Sequence, residues 1–152
     1  MLLARLTLAA AALCAGISTV AAKDIPPADV KITDGVLVQP VSDAPASAAE
    51  GRKFFADRRL GNCLACHANS EMSEQLFHGE VGPSLDGAAE RWTPEQLRAI
   101  VVNSKAVFGE QTVMPGFYSL ELGKNVAKNF QGKTILTAEQ VESIVAYLAT
   151  LK

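Results

Sequence analysis

Gly61-Asn62-Cys63-Leu64-Ala65-Cys66-His67 is the stretch on which the reading of this 152-residue chain turns. It sets two thiols three positions apart and places an imidazole directly after the second. Cys-x-x-Cys-His is the spacing of covalent c-type haem attachment. Thiols so placed reach two vinyl groups on one edge of a porphyrin and form thioethers. The adjacent imidazole then lies beneath the ring, one nitrogen on the iron and the other donating a hydrogen bond that fixes its orientation. Three other uses of these residues compete. A redox Cys-x-x-Cys belongs in a βαβ setting, and none is visible. A structural zinc site needs a second ligand pair, and His78 is the only other histidine. A plain disulfide leaves His67 unexplained. One covalently bound haem c, tied at Cys63 and Cys66 and ligated by His67, is therefore the expected cofactor.

Working outward, residues 1–22 read as an export signal: Arg5 gives a positive start, Leu6 to Ile17 a short apolar run, and Val20-Ala21-Ala22 small residues before a cleavage point near Ala22. The run is too short to span a bilayer well; a retained anchor is the alternative. Cys14 follows the bulky Leu13, unlike a lipid-attachment site, and is expected to leave with the signal. A soluble periplasmic protein without a membrane anchor is thus expected. Losing Arg5 from 14 cations leaves 13 against 16 acids, no basic footprint for nucleic acid. The two remaining cysteines are those of the motif, so no thiol is spare to carry sulfur.

Residues 23–46, with Pro26, Pro27, Pro40 and Pro45, read as an extended amino-terminal arm, either a flexible tail or an arm along a partner. It has one weak strand-like patch, Val36-Leu37-Val38, after an Asp34-Gly35 turn. Residues 47–152 form the expected domain. Ser47-Ala48-Ala49-Glu50 is a capping-box pattern opening a helix through Asp57. Thr93-Pro94-Glu95-Gln96 opens a second, with Thr93 as cap, Pro94 in the first turn, and Leu97, Ile100 and Val101 as its apolar face. Thr137-Ala138-Glu139-Gln140 opens a third, in which Val141, Ile144, Val145, Leu148 and Leu151 repeat at helical spacing over about 14 residues. Loops rich in Gly, Pro and Asn fill 68–92 and 103–136. So few helices with such long loops make a poor core. The expected fold is all-α, its long loops wrapped round one haem that supplies much of the missing apolar interior.

The sixth position on the iron has three candidates, Met72, Met114 and His78. Met114 stands in the turn-rich Thr112-Val113-Met114-Pro115-Gly116-Phe117, far enough past His67 to cross to the other face of the ring. Met72 follows His67 too closely, and His78 is the better rival. Met114 is favoured; a thioether raises the potential relative to bis-histidine ligation.

These residues resemble the class I cytochrome c family over about 47–152. Gly51 and Phe55 in the first helix with Tyr147 in the last look like the family's helix–helix contact. Gly82-Pro83-Ser84-Leu85 resembles the loop whose proline carbonyl accepts the proximal histidine's hydrogen bond, which makes Pro83 the partner of His67. Met114-Pro115 resembles the axial methionine segment. Within the class, Gly61 to His67, Gly82-Pro83-Ser84-Leu85-Asp86-Gly87, Arg91-Trp92, Val102-Asn103-Ser104-Lys105, Met114 to Tyr118 and Ile135-Leu136-Thr137-Ala138 resemble the SoxX family, small monohaem subunits of SoxAX complexes in thiosulfate-oxidising bacteria. That resemblance implies a SoxA-like cytochrome partner in a heterodimer. The complex would act as an L-cysteine S-thiosulfotransferase, joining thiosulfate oxidatively to a cysteine of a sulfur-carrier protein. It also implies that the sulfur chemistry sits on the partner, so this chain has no catalytic residue, takes the electrons and passes them to a small soluble cytochrome c. A free electron shuttle and a peroxidase are the rival readings; Met114 argues against the open iron a peroxidase needs. Trp92, through its indole N–H, and Arg91, through a charge-assisted contact, are candidate partners for haem propionates, with plain packing and solvation as the alternatives. Lys105, Lys124 and Lys128 flank the Met114 loop and could steer an acidic acceptor or simply be solvated. Glu71 and Glu74 read as surface residues.

Overall fold

A computed structural model describes residues 22–152; the expected signal segment, apart from Ala22, and Cys14 lie outside them. Among the described residues there are four α-helices and no strand: α1 (Ala48–Ala56), α2 (Ala88–Arg91), α3 (Pro94–Phe108) and α4 (Ala138–Leu148). No described helix is long and apolar enough to cross a membrane.

Local sequence sets the three longer helices. Thr93 and Gln96 form a reciprocal capping box at α3, the Thr93 N–H donating to Gln96 Oε1 at 2.9 Å. Thr137 and Gln140 do the same at α4, also at 2.9 Å. At α1 half of the expected box forms. Ser47 Oγ accepts from the Glu50 N–H at 3.3 Å, while the Glu50 carboxylate turns outward to Lys53 Nζ at 2.7 Å.

α1 packs on α4 at the closest helix contact of the fold. Phe55 meets Tyr147 edge to face, ring centroids 5.6 Å apart. A Cβ on Gly51 would stand 1.8 Å from the Ser143 carbonyl oxygen, so the helices lie this close because Gly51 has no side chain.

Three expectations need correction. α4 ends at Leu148, short of the 14 residues read from periodicity. Thr150 and Leu151 donate back to Tyr147 and Leu148, tightening the last turn. The Leu151 carbonyl then accepts from the Ala89 N–H at 2.8 Å, so the buried Leu151 is drawn towards α2 instead of continuing the helix. The second helix does not stop before 103: α3 runs on to Phe108 through a kink at Asn103 (φ −153°, ψ 89°). Asparagine is a weak helix former, which suits this position to an interruption, and its own buried Oδ1 makes no hydrogen bond among the described residues. Ile100 is half-buried, and Arg98 and Val102 join Leu97 and Val101 on the buried face.

Residues 23–46 lie against the body of their own chain. Asp34 (φ 51°) and Gly35 (φ 74°) make the turn, but Val36 forms one bridge with Thr33 and no strand. Leu37 and Val41 are buried. The Val41 N–H donates to Glu142 Oε1 at 2.8 Å, and the Leu37 carbonyl accepts from Arg98 Nη1 at 2.9 Å. Arg98 Nε in turn donates to Glu142 Oε1 and Oε2 at 2.9 and 3.0 Å. The two side chains are 10% and 6% exposed, so the pair is desolvated and satisfied by these added bonds.

Two substitutions test this frame by urea unfolding. Gly51→Ala should cost about 3 kcal/mol, because the methyl group meets backbone that cannot rotate away. Arg98→Met should cost about 3–5 kcal/mol by leaving the Glu142 carboxylate buried without its partner.

Candidate haem site

The motif opens where Asn62 takes a left-handed conformation (φ 47°, ψ 47°), tolerated by asparagine. A single 3-10 turn, Cys63–Ala65, follows, and the His67 N–H closes onto the Cys63 carbonyl at 3.0 Å. Both cysteines are free thiols. Burial pushes the Cys63 thiol up to about 12, so the haem-free chain carries it neutral, unlike the low-pKa thiolate of a redox pair. Among the described residues no three His, Cys, Asp or Glu side chains gather to hold a metal by themselves.

His67 is oriented from one side. Its Nδ1 lies 2.7 Å from the Pro83 carbonyl oxygen. Since that oxygen can only accept, Nδ1 carries the proton and Nε2 keeps a free lone pair. The 79–83 loop is pressed onto the motif by the Gly79 N–H bonding the Leu64 carbonyl and the Gly82 N–H bonding the Cys66 carbonyl, each at 2.8 Å. A Cβ on Gly82 would stand 2.3 Å from His67 Cε1. The loop is stapled from below by Arg91, whose Nη1 donates to the Asp86 carbonyl at 2.6 Å and Nη2 to the Ser84 carbonyl at 2.9 Å. Trp92 is half-buried with its ring edge to face on Phe108, centroids 5.9 Å apart.

Behind the motif, fully buried Asn69 donates from Nδ2 to the Tyr147 hydroxyl at 2.8 Å and accepts from the Glu71 N–H at 3.2 Å. Burial pushes the Tyr147 phenol up to about 12 even though the Asn69 hydrogen bond favours ionisation. Sequence reading missed Asn69, whose signal lies in its partner 78 residues on. Arg52 of α1 adds a surface tie, donating to Glu74 at 2.7 Å and to the Glu71 carbonyl at 3.2 Å.

The three candidates for the second axial position are placed very differently. Met72 is fully buried in the core. His78 has both ring nitrogens on backbone: Nδ1 accepts from the Asn69 N–H at 3.3 Å, and Nε2 lies 3.1 Å from the Met72 carbonyl. Met114 is half-buried at the edge of the core, on a loop fastened to both halves of α3. The kink at Asn103 leaves the Val101 and Val102 carbonyls to accept from the Phe117 and Tyr118 N–H groups, each at 3.1 Å. Beyond the kink, Ser104 Oγ donates to the Met114 carbonyl at 2.6 Å, and Lys105 Nζ donates to the Thr112 carbonyl. The Lys105 ammonium is thus used to hold the loop, while Lys124 and Lys128 are exposed. The same loop returns to the motif: a side chain on Gly61 would meet Cys63 Sγ at 3.2 Å and Phe117 Cε1 at 3.5 Å. Leu76, Phe77 and Val81 beside the motif, and Val113 beside Met114, stand exposed.

The donor set fits a c-type haem. It offers two unpaired thiols at the attachment spacing, an imidazole held with its Nε2 free, and a thioether on a loop that reaches the thiol edge.

The chain matches the cytochrome c family over residues 48–152 and belongs to that family. Within it, this is a class I cytochrome c close to SoxX. The crystal structure of SoxXA from P. pantotrophus superposes with a TM-score of 0.78 at 38% sequence identity, covering 86% of this chain and 99% of that one. The c-type cytochrome SorU from Sinorhizobium meliloti overlaps less well, with a TM-score of 0.45 at 27% identity over 68% of this chain and 88% of that one. No curated protein gave a significant match.

Gly82→Ala should drive a methyl group into the imidazole. The expected result is a sharp fall in the yield of holoprotein per exported chain, read by haem staining against total protein, with Ala at the exposed Glu121 position as an unaffected control.

Proposed function

We propose that this chain is the electron-transfer subunit of a SoxAX-type complex, with one covalent haem c. The reading is carried by the His67–Pro83 hydrogen bond, which commits Nδ1 as donor and aims the basicity of the imidazole at Nε2. Cys63 and Cys66 are the thioether positions, and His67 and Met114 the axial ligands. When bound, the haem supplies a one-electron Fe(II)/Fe(III) couple. The chain's own part is to fix that couple's potential and keep water from it. Pro83 makes the imidazole a better donor, the Met114 thioether favours the reduced iron, and the Met114 loop covers the thiol edge. Occupation of both His78 nitrogens by backbone favours Met114 over its rival. Trp92 and Arg91 are proposed near the propionates. Arg91 already serves the Pro83 loop with two donors, so its first effect is on the His67 side.

The SoxXA likeness supports a SoxA-like cytochrome as partner in the periplasm, after removal of a signal peptide ending near Ala22. With no thiol outside the motif after that cleavage, the chain has nothing to which sulfur could be conjugated. The oxidative joining of thiosulfate to a carrier-protein cysteine then belongs to the partner, as in an L-cysteine S-thiosulfotransferase. This chain would take the electrons released and hand them to a small soluble cytochrome c.

Met114→Ala should abolish the absorption band that marks sulfur coordination to ferric iron, lower the midpoint potential and admit external ligands; persistence of the band removes Met114 from the iron. Purification from the native host grown on thiosulfate, with haem staining of every associated chain, tests the subunit reading. A second haem protein should co-elute, whereas a lone monohaem chain would make this a free shuttle.

A further inference from the structure

We propose that the amino-terminal segment is a latch on the Met114 loop, with Tyr118 as its catch and therefore a positioning residue for the sixth ligand. This rests on the reading of Met114 as that ligand. Tyr118 is 5% exposed and four residues past Met114, and its hydroxyl donates to the Ile25 carbonyl at 2.7 Å across 93 residues of sequence. Burial, with the Asp24 charge nearby, raises the phenol above its ordinary value, so the hydroxyl stays a donor at neutral pH.

Ile25 is itself held. Its N–H donates to the Val41 carbonyl at 2.8 Å, and Ser42 Oγ donates to Asp24 Oδ1 at 2.6 Å beside it. The Val41 N–H is anchored on the buried Glu142 carboxylate. The fastening therefore runs from the Arg98–Glu142 pair, through Val41 and Ile25, to Tyr118. Within the loop, Tyr118 and Phe117 are tied by their amides to the carbonyls that the Asn103 kink leaves open. The latch adds a side-chain tie from outside α3, on the loop flank facing the arm. Such a tie matters because a thioether is a weak, neutral ligand. Its occupancy of the iron depends on how rigidly the loop presents it, and a loop held by few bonds opens locally far more often than the whole fold does.

The test uses the full mature holoprotein carrying Tyr118→Phe, which deletes the hydroxyl and keeps the ring. The wild-type ferric form should show the sulfur-to-iron band; if it does not, or if Met114→Ala retains it, the ligand reading fails and takes the latch with it. With the band in place, imidazole titration of the ferric protein reads how readily the loop gives way. Tyr118→Phe should keep haem content and band yet bind imidazole about 2- to 10-fold more tightly, the effect of one net hydrogen bond. Ile144→Val, a small loss on the α1–α4 contact, serves as the control for general loosening and should bind imidazole as the wild type does. Unchanged affinity in Tyr118→Phe, or an equal rise in Ile144→Val, overturns the latch.

Discussion

The close approach of α1 to α4 across Gly51 is the constraint from which both ends of the site hang. With the Ser143 carbonyl where a Cβ would be, the two helix axes are fixed by backbone contact, not by side chains that can repack. α1 then delivers the chain to the Cys63 turn after a short link, and α4 presents Tyr147 to Asn69, two residues past His67. The motif is thus held at its front by the Gly79 and Gly82 amides and at its back by a buried amide–phenol bond. Two thiols and one imidazole at fixed spacing need this precision if they are to meet a single group, because the hydrogen bond to the second ring nitrogen sets the plane of the imidazole.

The other half of the molecule uses a different device. Arg98 and Glu142 bring α3 and α4 together through a desolvated ion pair, which taken alone is weak evidence of net stabilisation. Its value here lies in what it organises. Arg98 Nη1 is left to take the Leu37 carbonyl, and Glu142 Oε1, while accepting from Arg98 Nε, also accepts from the Val41 N–H. A proline-rich segment with no α-helix or strand, only a single 3-10 turn at Pro27–Asp29, finds backbone partners there. The charge pair acts as a socket for the arm, and the arm reaches the loop that presents Met114.

The legibility of this structure in the sequence follows the range of the interactions. Helix starts at Thr93 and Thr137 are local, four residues each, and could be read directly; so could the motif and the apolar repeat of α4. The α1 box was read from the same four-residue pattern, yet Glu50 found a stronger partner in Lys53. Long-range hydrogen bonds were invisible: Asn69–Tyr147, Arg98–Leu37, Val41–Glu142 and Tyr118–Ile25 join residues 61 to 101 positions apart. Each involves a residue type that is ordinarily solvated, or a backbone group with no sequence signature at all. The Asn103 kink falls between these cases. Asparagine in a helix is a known weakness, but whether it breaks the helix depends on what waits for the freed carbonyls, here the amides of Phe117 and Tyr118.

The kink also explains how so little regular structure can hold the Met114 loop in place. Loops of this length ordinarily argue against a compact domain. In this chain the long segment after α3 does not wander, because the interrupted helix offers it a ladder of acceptors and donors: Val101 and Val102 carbonyls on one side of Asn103, Ser104 and Lys105 side chains on the other. An unbroken α3 would have spent those carbonyls on itself and left the Met114 loop without a docking edge. Local helical order was given up at one residue, and the order of the Met114 loop was obtained in exchange. That trade makes the rigidity of the Met114 loop depend on contacts from distant parts of the chain.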